Sequence, residues 1–522
     1  MAKKTRSLLH GEITYSFAKD EEVNILHRLG YVKQRAKFFD VLHHKRAWMR
    51  SIVAHHLGAS PNACSVAGPE DWIYGSFNVC IPVTVSSSWR RKRQRLMLRF
   101  PLPYRVGDHF CPGNSDEKLR CEAGTYAWLQ QNATDVPIPH MYGFAVSTGE
   151  TFTTATCLSF WKRWLFKLRC LALSLLGCPL PSRYVPHQPQ SQATDIGYLL
   201  IEYIEESAGR MLSNTWSEKR HDDRLRGNLF RSLSQILLSI TRTPLPCVGS
   251  FVIDNNGYLQ LTNRPLSLEI QALENENIPT DMPRNYTYAT VDSYILDVLR
   301  IHDNRLLHQP NGINNLGDYG AQAAALTILR AALPSFFDPG LRRGPFVLTF
   351  TDFNQSNFFV DEDWNVTCIV DLEWMCSLPI EMCRIPPWLT DKAVDEIAEQ
   401  PEEYGRLRQE LVDTLAAEEA KLFGPNEAGA QQHRLSMVMN QGWELGTFWY
   451  SLALRSPTGL HALFYKQIQP RFLKKCPEHT EFDNIVPWYW RTDFLEVAIK
   501  KMEDKKNYDM QLREAFDKDE AP

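Results

Sequence analysis

The stretch from Phe346 to Trp374 constrains this chain most. Phe346-Val347-Leu348-Thr349-Phe350 has the β-branched and aromatic composition of a buried strand. A polar loop follows, Thr351-Asp352-Phe353-Asn354-Gln355-Ser356-Asn357, and an apolar run resumes at Phe358-Phe359-Val360. Asp361-Glu362-Asp363 reads as a solvent-facing hairpin tip, and Val366-Thr367-Cys368-Ile369-Val370 as the returning strand, ending at Asp371. One carboxylate thus stands five residues before an Asn, and a second stands fourteen residues after it. The hairpin returns the second Asp beside the Asn. Phosphoryl transfer needs such a set: one Asp to orient an acceptor hydroxyl and take its proton, and an Asn and an Asp as hard oxygen ligands for Mg2+. On this reading Asp352 is the base and Asn357 and Asp371 are the metal ligands. In an isolated D-x-x-x-x-N, turn caps and a surface acid would be the better reading; the strand–loop–hairpin setting reverses that preference.

Elsewhere the pattern alternates between helix and strand. Residues 20–60 carry apolar side chains at helical spacing. Residues 72–85 read as two strands around a small-residue turn, and 96–100 as a third. A helix with Glu122 near its middle is expected over 116–131, and an apolar strand at Tyr198–Ile204. Further helices are expected over 217–242, 286–308 and 318–333, a hairpin with an Asn-Gly turn at 251–259, and loop over 265–285. From about 391 the chain reads as helix-rich and ends in a charged tail. With 57 Lys+Arg against 61 Asp+Glu, the net charge of −4 gives no global attraction to nucleic acid or to an anionic membrane. The twelve Cys form no C-x-x-C pair, which favours reduced thiols and a cytoplasmic setting. Leu158–Gly177 has the length of a membrane span, but Lys162, Arg163, Lys167 and Arg169 exclude one. It reads as an amphipathic helix that covers an apolar groove of its own protein or, as the less favoured alternative, touches a membrane surface. Arg90-Arg91-Lys92-Arg93-Gln94-Arg95 reads as a solvated strand connection rather than a phosphate-binding patch.

The 346–374 stretch resembles the catalytic and metal-binding segments of the aminoglycoside phosphotransferase/choline kinase-like family, especially its large fungal branch. That family's usual pattern is H-G-D-x-x-x-x-N followed by I-D-x-E. Here the chain has Phe350-Thr351-Asp352 and Val370-Asp371-Leu372-Glu373, with Phe350 in the His position. The resemblance implies an α+β, bilobal protein-kinase-like fold with a small β-rich N-lobe and a large helical C-lobe. It also implies transfer of the γ-phosphate of ATP, with Mg2+, to a small-molecule hydroxyl of unknown identity.

The resemblance supplies expectations for the N-terminal half. Gly75, Ser76 and Asn78 would form the turn whose backbone N–H groups approach phosphate oxygens. Arg99, where kinases carry Lys, would reach the phosphates and pair with Glu122. Glu202, Tyr203 and Ile204 would offer backbone groups to adenine. The expected division is an N-terminal helical extension (1–60), a nucleotide-binding lobe (61–204) with an amphipathic insert at about 155–195, a catalytic and acceptor-binding lobe (205–490) and a charged C-terminal tail (491–522). Glu373 has two readings, a contact near the site or packing support. Phe350 and Arg99 keep a second function class open, a non-catalytic pseudokinase acting as a scaffold. A protein kinase proper is disfavoured by the lack of a D-F-G and A-P-E set.

Overall fold

Tyr198-Leu199-Leu200-Ile201 shows how the N-terminal half is built. Tyr198 and Leu200 join a core on one face of the sheet, while Leu199 and Ile201 join another on the opposite face. A strand buried on both faces belongs at the centre of a sheet covered on both sides. The computed structural model describes residues 4–86, 93–188, 195–423, 434–473 and 482–517. It has a β-sheet-rich N-terminal region and a helical C-terminal part. The main sheet runs in the order Cys64–Val66, Asn78–Ser86, Arg93–Pro101, Tyr198–Glu202, Met141–Ala145, Thr151–Thr154, Tyr184–Pro186, with antiparallel neighbours. Ile73–Tyr74 pairs with the start of Asn78–Ser86. Residues 87–92, which include most of the basic run, lie outside the described residues.

Alternation along Arg93–Pro101 aims the side chains. Leu96, Leu98 and Phe100 enter the core formed with the helices Tyr31–His44 and Arg46–Leu57. Arg99 points to the other face, where the helix Asn114–Asn132 lies and is buried along most of its length. That helix also packs on the strand Ser250–Ile253 and on the turn Leu372–Trp374. Gly124 permits the approach: a Cβ there would come within 2.3 Å of the Phe251 carbonyl oxygen. Helix propensity favours Ala over Gly by about 0.8–1 kcal/mol. Backbone contact on a rigid strand outweighs it, so Gly124→Ala is expected to destabilise the protein by about 1–3 kcal/mol, read from the denaturant midpoint.

In the C-terminal part, side-chain caps start the long helices. Asp222 accepts from Arg224 and Leu225 N–H ahead of Asp223–Thr241, Thr290 caps Val291–His308 and Asn315 caps Leu316–Ala332. Phe346–Phe350 pairs with Met375–Pro379, and Phe358–Val360 with Val366–Ile369.

Two expectations need correction, over 265–285 and over the amphipathic helix, and the two ends of the chain carry more structure than their labels convey. The segment expected as loop over 265–285 contains the helix Leu268–Asn275. Its buried face includes Gln271, Glu274 and Asn275, so hydropathy alone reads as loop. Glu274 is held by Arg264 at 2.6 Å and Asn275 by the Tyr31 hydroxyl at 2.7 Å. The N-terminal extension is helical from Tyr15 to Leu57 apart from short connections, and it also carries a strand pair. Thr5–Ser7 and Glu12–Thr14 form a hairpin, and the helices over 31–57 are the outer cover of the main sheet. The charged tail includes the helix Phe494–Asp517, whose Tyr508, Leu512 and Phe516 pack on Ile13, Ala18 and Ile25. Lys501 and Lys505 occupy its buried stripe, which hid the stripe from a hydropathy reading; Lys501 Nζ donates to the Gln309 carbonyl. Finally, the amphipathic helix Phe160–Leu175 does not cover a groove: none of its residues is buried.

Candidate active site

The strand Phe346–Phe350 ends at a loop tied down from three sides. The Thr351 N–H and hydroxyl both donate to the Trp374 carbonyl, Arg384 donates to the Thr351 carbonyl, and Trp388 Nε1 donates to the Phe353 carbonyl at 2.6 Å. Phe350 stacks on Phe353 with ring centroids 5.1 Å apart, and Phe358 closes the triangle at 5.2 Å from Phe353. Aromatic packing thus organises the loop.

The backbone segments that carry Asp352, Asn357 and Asp371 are neighbours. Asn357 Nδ2 donates to the Asp352 carbonyl at 3.2 Å, and its Oδ1 has a weak 3.4 Å contact from Ser356 Oγ. The hairpin closes as the Val370 N–H donates to the Asn357 carbonyl at 2.9 Å. Asp371 follows in a left-handed conformation, φ 60° and ψ 58°, which Asp tolerates better than most residues. Its carboxylate lies among protein atoms yet keeps 41 % of its side-chain surface open to water. Burial, reinforced by the Asp371 and Glu373 charges, pushes Asp352 up to about 6.

Arg99 joins the two halves of the molecule. Its NH1 donates to Glu122 Oε1 at 3.0 Å, and its NH2 reaches Asp371 Oδ1 at 2.5 Å and Glu373 Oε2. Burial opposes the charge on Arg99, but these three carboxylates hold its pKa well above the usual value. Lys118, one turn before Glu122, is fully buried and pairs with Glu373 at 3.2 Å. Asn78 bridges them, accepting from Lys118 at 2.6 Å and donating to Glu373 at 2.9 Å. Burial alone would raise Glu373; Arg99, Lys118 and Asn78 hold it below the carboxylate range. Burial pushes Glu122 the other way, up to about 8. Glu373 is therefore a buried part of the ion-pair network.

The turn at Gly75 and Ser76 is exposed and folds over this network. The neighbouring Phe77 ring meets Trp374 edge-on at 5.3 Å, and Arg105 holds the Ser76 carbonyl at 2.7 Å. A Cβ on Gly75 would meet nothing within 4 Å, so there is open space beside this turn. Asn78, expected to offer its backbone N–H, has its side chain engaged by Lys118 and Glu373. Glu202 ends the central strand, with its N–H donating to the His140 carbonyl and its carboxylate accepting from the His140 N–H. Tyr203 lies under Arg95 at 3.6 Å, and half-buried Ile204 follows.

Sequence reasoning missed Lys118 and Arg384. The i, i+4 spacing of Lys118 and Glu122 was a readable signal; nothing local marked Arg384. Arg384 sits beside Thr351 and 3.8 Å from Glu269. Burial and the adjacent Arg455 lower it to about 10. A recess next to Thr351 is lined by Glu269, Tyr294, Leu454 and Arg455.

Among the described residues no three His, Cys, Asp or Glu side chains group into a metal cage by themselves. Asn357 and Asp371 carry oxygen donors of the kind Mg2+ takes, an ion that uses few protein ligands and completes its shell with phosphate and water oxygens. Asp371 and Glu373 face Arg99 and Lys118, Glu122 is pushed toward its protonated form, and Asp352 adds a further carboxyl group beside Asp371. No protein-family model and no curated protein matches the chain.

Proposed function

We propose that this chain is an ATP- and Mg2+-dependent phosphotransferase of the aminoglycoside phosphotransferase/choline kinase-like kind, with a bilobal protein-kinase-like fold and a small-molecule hydroxyl as acceptor. One observation carries the reading: Arg99, on a central strand of the N-terminal sheet, contacts both Glu122 on the next helix and Asp371 at the end of the C-terminal hairpin. A kinase cleft pairs a phosphate-binding cation with a helix acid and sets a metal-binding Asp nearby.

Asn357 and Asp371 would hold Mg2+, which when bound neutralises charge on the nucleotide phosphates. Arg99, steadied by Glu122, would contact those phosphates, and the turn at Gly75 and Ser76 would present backbone N–H groups to them. The chain at Glu202, Tyr203 and Ile204 would border the adenine. Asp352 would orient the acceptor hydroxyl and receive its proton.

Asp352→Ala is expected to lower transfer by about 10²–10⁴ while nucleotide binding persists. Because Asp352 accepts a proton only when ionised, wild-type turnover should fall as the pH drops through about 6. The variant's residual rate should lack that limb. A pH–rate profile of ATP consumption over a panel of hydroxyl metabolites checks both. Unchanged transfer in the variant would remove the assignment.

The ion pair between Arg99 and Asp371 favours a second reading, a scaffold in which the cation occupies the metal-binding acid permanently. Thermal shift with ATP, with and without Mg2+, distinguishes them when paired with a turnover assay: binding without turnover selects the scaffold.

A further inference from the structure

The helix Phe160–Leu175 stands out from every other long helix of this chain. It joins the strands Thr151–Thr154 and Tyr184–Pro186 at one end of the main sheet. Phe166, Cys170 and Leu173 form its partly shielded side. At about 100° per residue, the outward arc carries Phe160, Trp161, Trp164, Leu168, Leu171 and Leu175. All six are exposed, Trp161 to 70 % and Leu175 to 79 %. A contiguous stripe of that size facing water marks an interaction surface.

Charge selects the partner. The helix has four cations, Lys162, Arg163, Lys167 and Arg169, and no acid, in a chain whose net charge is −4. Lys167 borders one edge of the apolar arc, and Lys162 and Arg169 border the other. Arg169 also reaches the Tyr258 hydroxyl at 3.2 Å, which anchors the helix to the body. Large aromatic and aliphatic side chains flanked by cations suit the headgroup boundary of an anionic bilayer, where rings and chains enter the acyl region and ammonium groups meet phosphates. No helix among the described residues is long and apolar enough to cross a membrane. The surface is therefore one that lies on a bilayer. A helix of 16 residues is about 24 Å long and can rest in the membrane plane along its whole length.

We infer that Phe160–Leu175 docks this protein on anionic lipid membranes, the apolar arc entering the headgroup boundary and the flanking cations binding lipid phosphate and carboxylate groups. The inference stands independently of the proposed chemistry, because it uses none of the cleft residues.

Vesicle flotation of the full chain tests it, with phosphatidylcholine vesicles alone and with phosphatidylserine added. Wild type should float with the serine-containing vesicles at low salt and much less at high salt, where the attraction is screened. The triple variant Trp161→Ala, Trp164→Ala, Leu168→Ala should bind at least about tenfold more weakly. The pair Lys162→Glu, Lys167→Glu should lose the preference for phosphatidylserine. All five positions are exposed, so unchanged melting temperatures certify the fold. The inference is overturned if wild type stays with the unbound fraction or if the variants float like wild type. It is also overturned if wild type is a dimer that the triple variant converts to monomer without altering flotation, which would assign the stripe to a second copy of the chain.

Discussion

Replacing Asp371 with Asn is expected to abolish Mg2+-dependent transfer, by at least about a thousandfold, without unfolding the protein. The substitution removes the charged oxygen ligand beside Asn357 and keeps a residue that accepts a left-handed backbone at φ 60°. Asp371→Ala removes the ligand as fully but also places a methyl-bearing residue in that conformation, which costs about 1–2 kcal/mol. Comparing the two separates ligand loss from backbone strain: both should be inactive, and Ala should also melt earlier. Arg99 keeps Glu122 and Glu373 in either variant, so the network survives. Transfer assays across a Mg2+ titration, with melting curves, provide the check. An Asn variant that retains wild-type turnover at saturating Mg2+ would remove Asp371 from the mechanism.

Arg99→Ala is expected to be the most destabilising substitution in the cleft, by about 3–5 kcal/mol. Arg99 is 2 % exposed and is encircled by Glu122, Asp371 and Glu373. Its loss would leave Lys118 to balance two buried glutamates and a cleft aspartate. A buried carboxylate without its cation must stay charged in a poor solvent or take up a proton. Arg99→Lys keeps the charge and loses the fork, so it should retain more stability than Ala but cannot contact Glu122 and Glu373 simultaneously in the same two-pronged way. Denaturant midpoints of the three proteins test this order. An Ala variant as stable as wild type would show that the carboxylates relax apart at little cost and that Arg99 does not brace the cleft.

Much of this site was legible because local pattern places it. Strand alternation puts Arg99 opposite Leu98 and Phe100, and so on the face toward Glu122. A hairpin of ordinary length returns Asp371 to Asn357. The Asn-Gly turn is likewise where its residues require it, with Gly257 at φ 86°. Other elements were misread for one recurring reason: polar side chains buried in pairs look like solvent-facing ones. Gln271 and Glu274 disguised a helix as loop, and Lys501 and Lys505 broke the apolar stripe of Phe494–Asp517. Asn78 read as a turn residue, yet it bridges Lys118 and Glu373.

Sequence alone determined the elements around the cleft and the residue types available for chemistry, because periodicity, turn composition and short-range spacing act within a few residues. Only the tertiary structure decided the partners. Arg99 meets Glu373 across 274 residues of chain, and Phe350 gains Phe353 and Phe358 as neighbours. It also left the Phe160–Leu175 stripe facing outward. Ion pairing and burial depend on what folding brings within a few ångströms, and no local pattern encodes that distance.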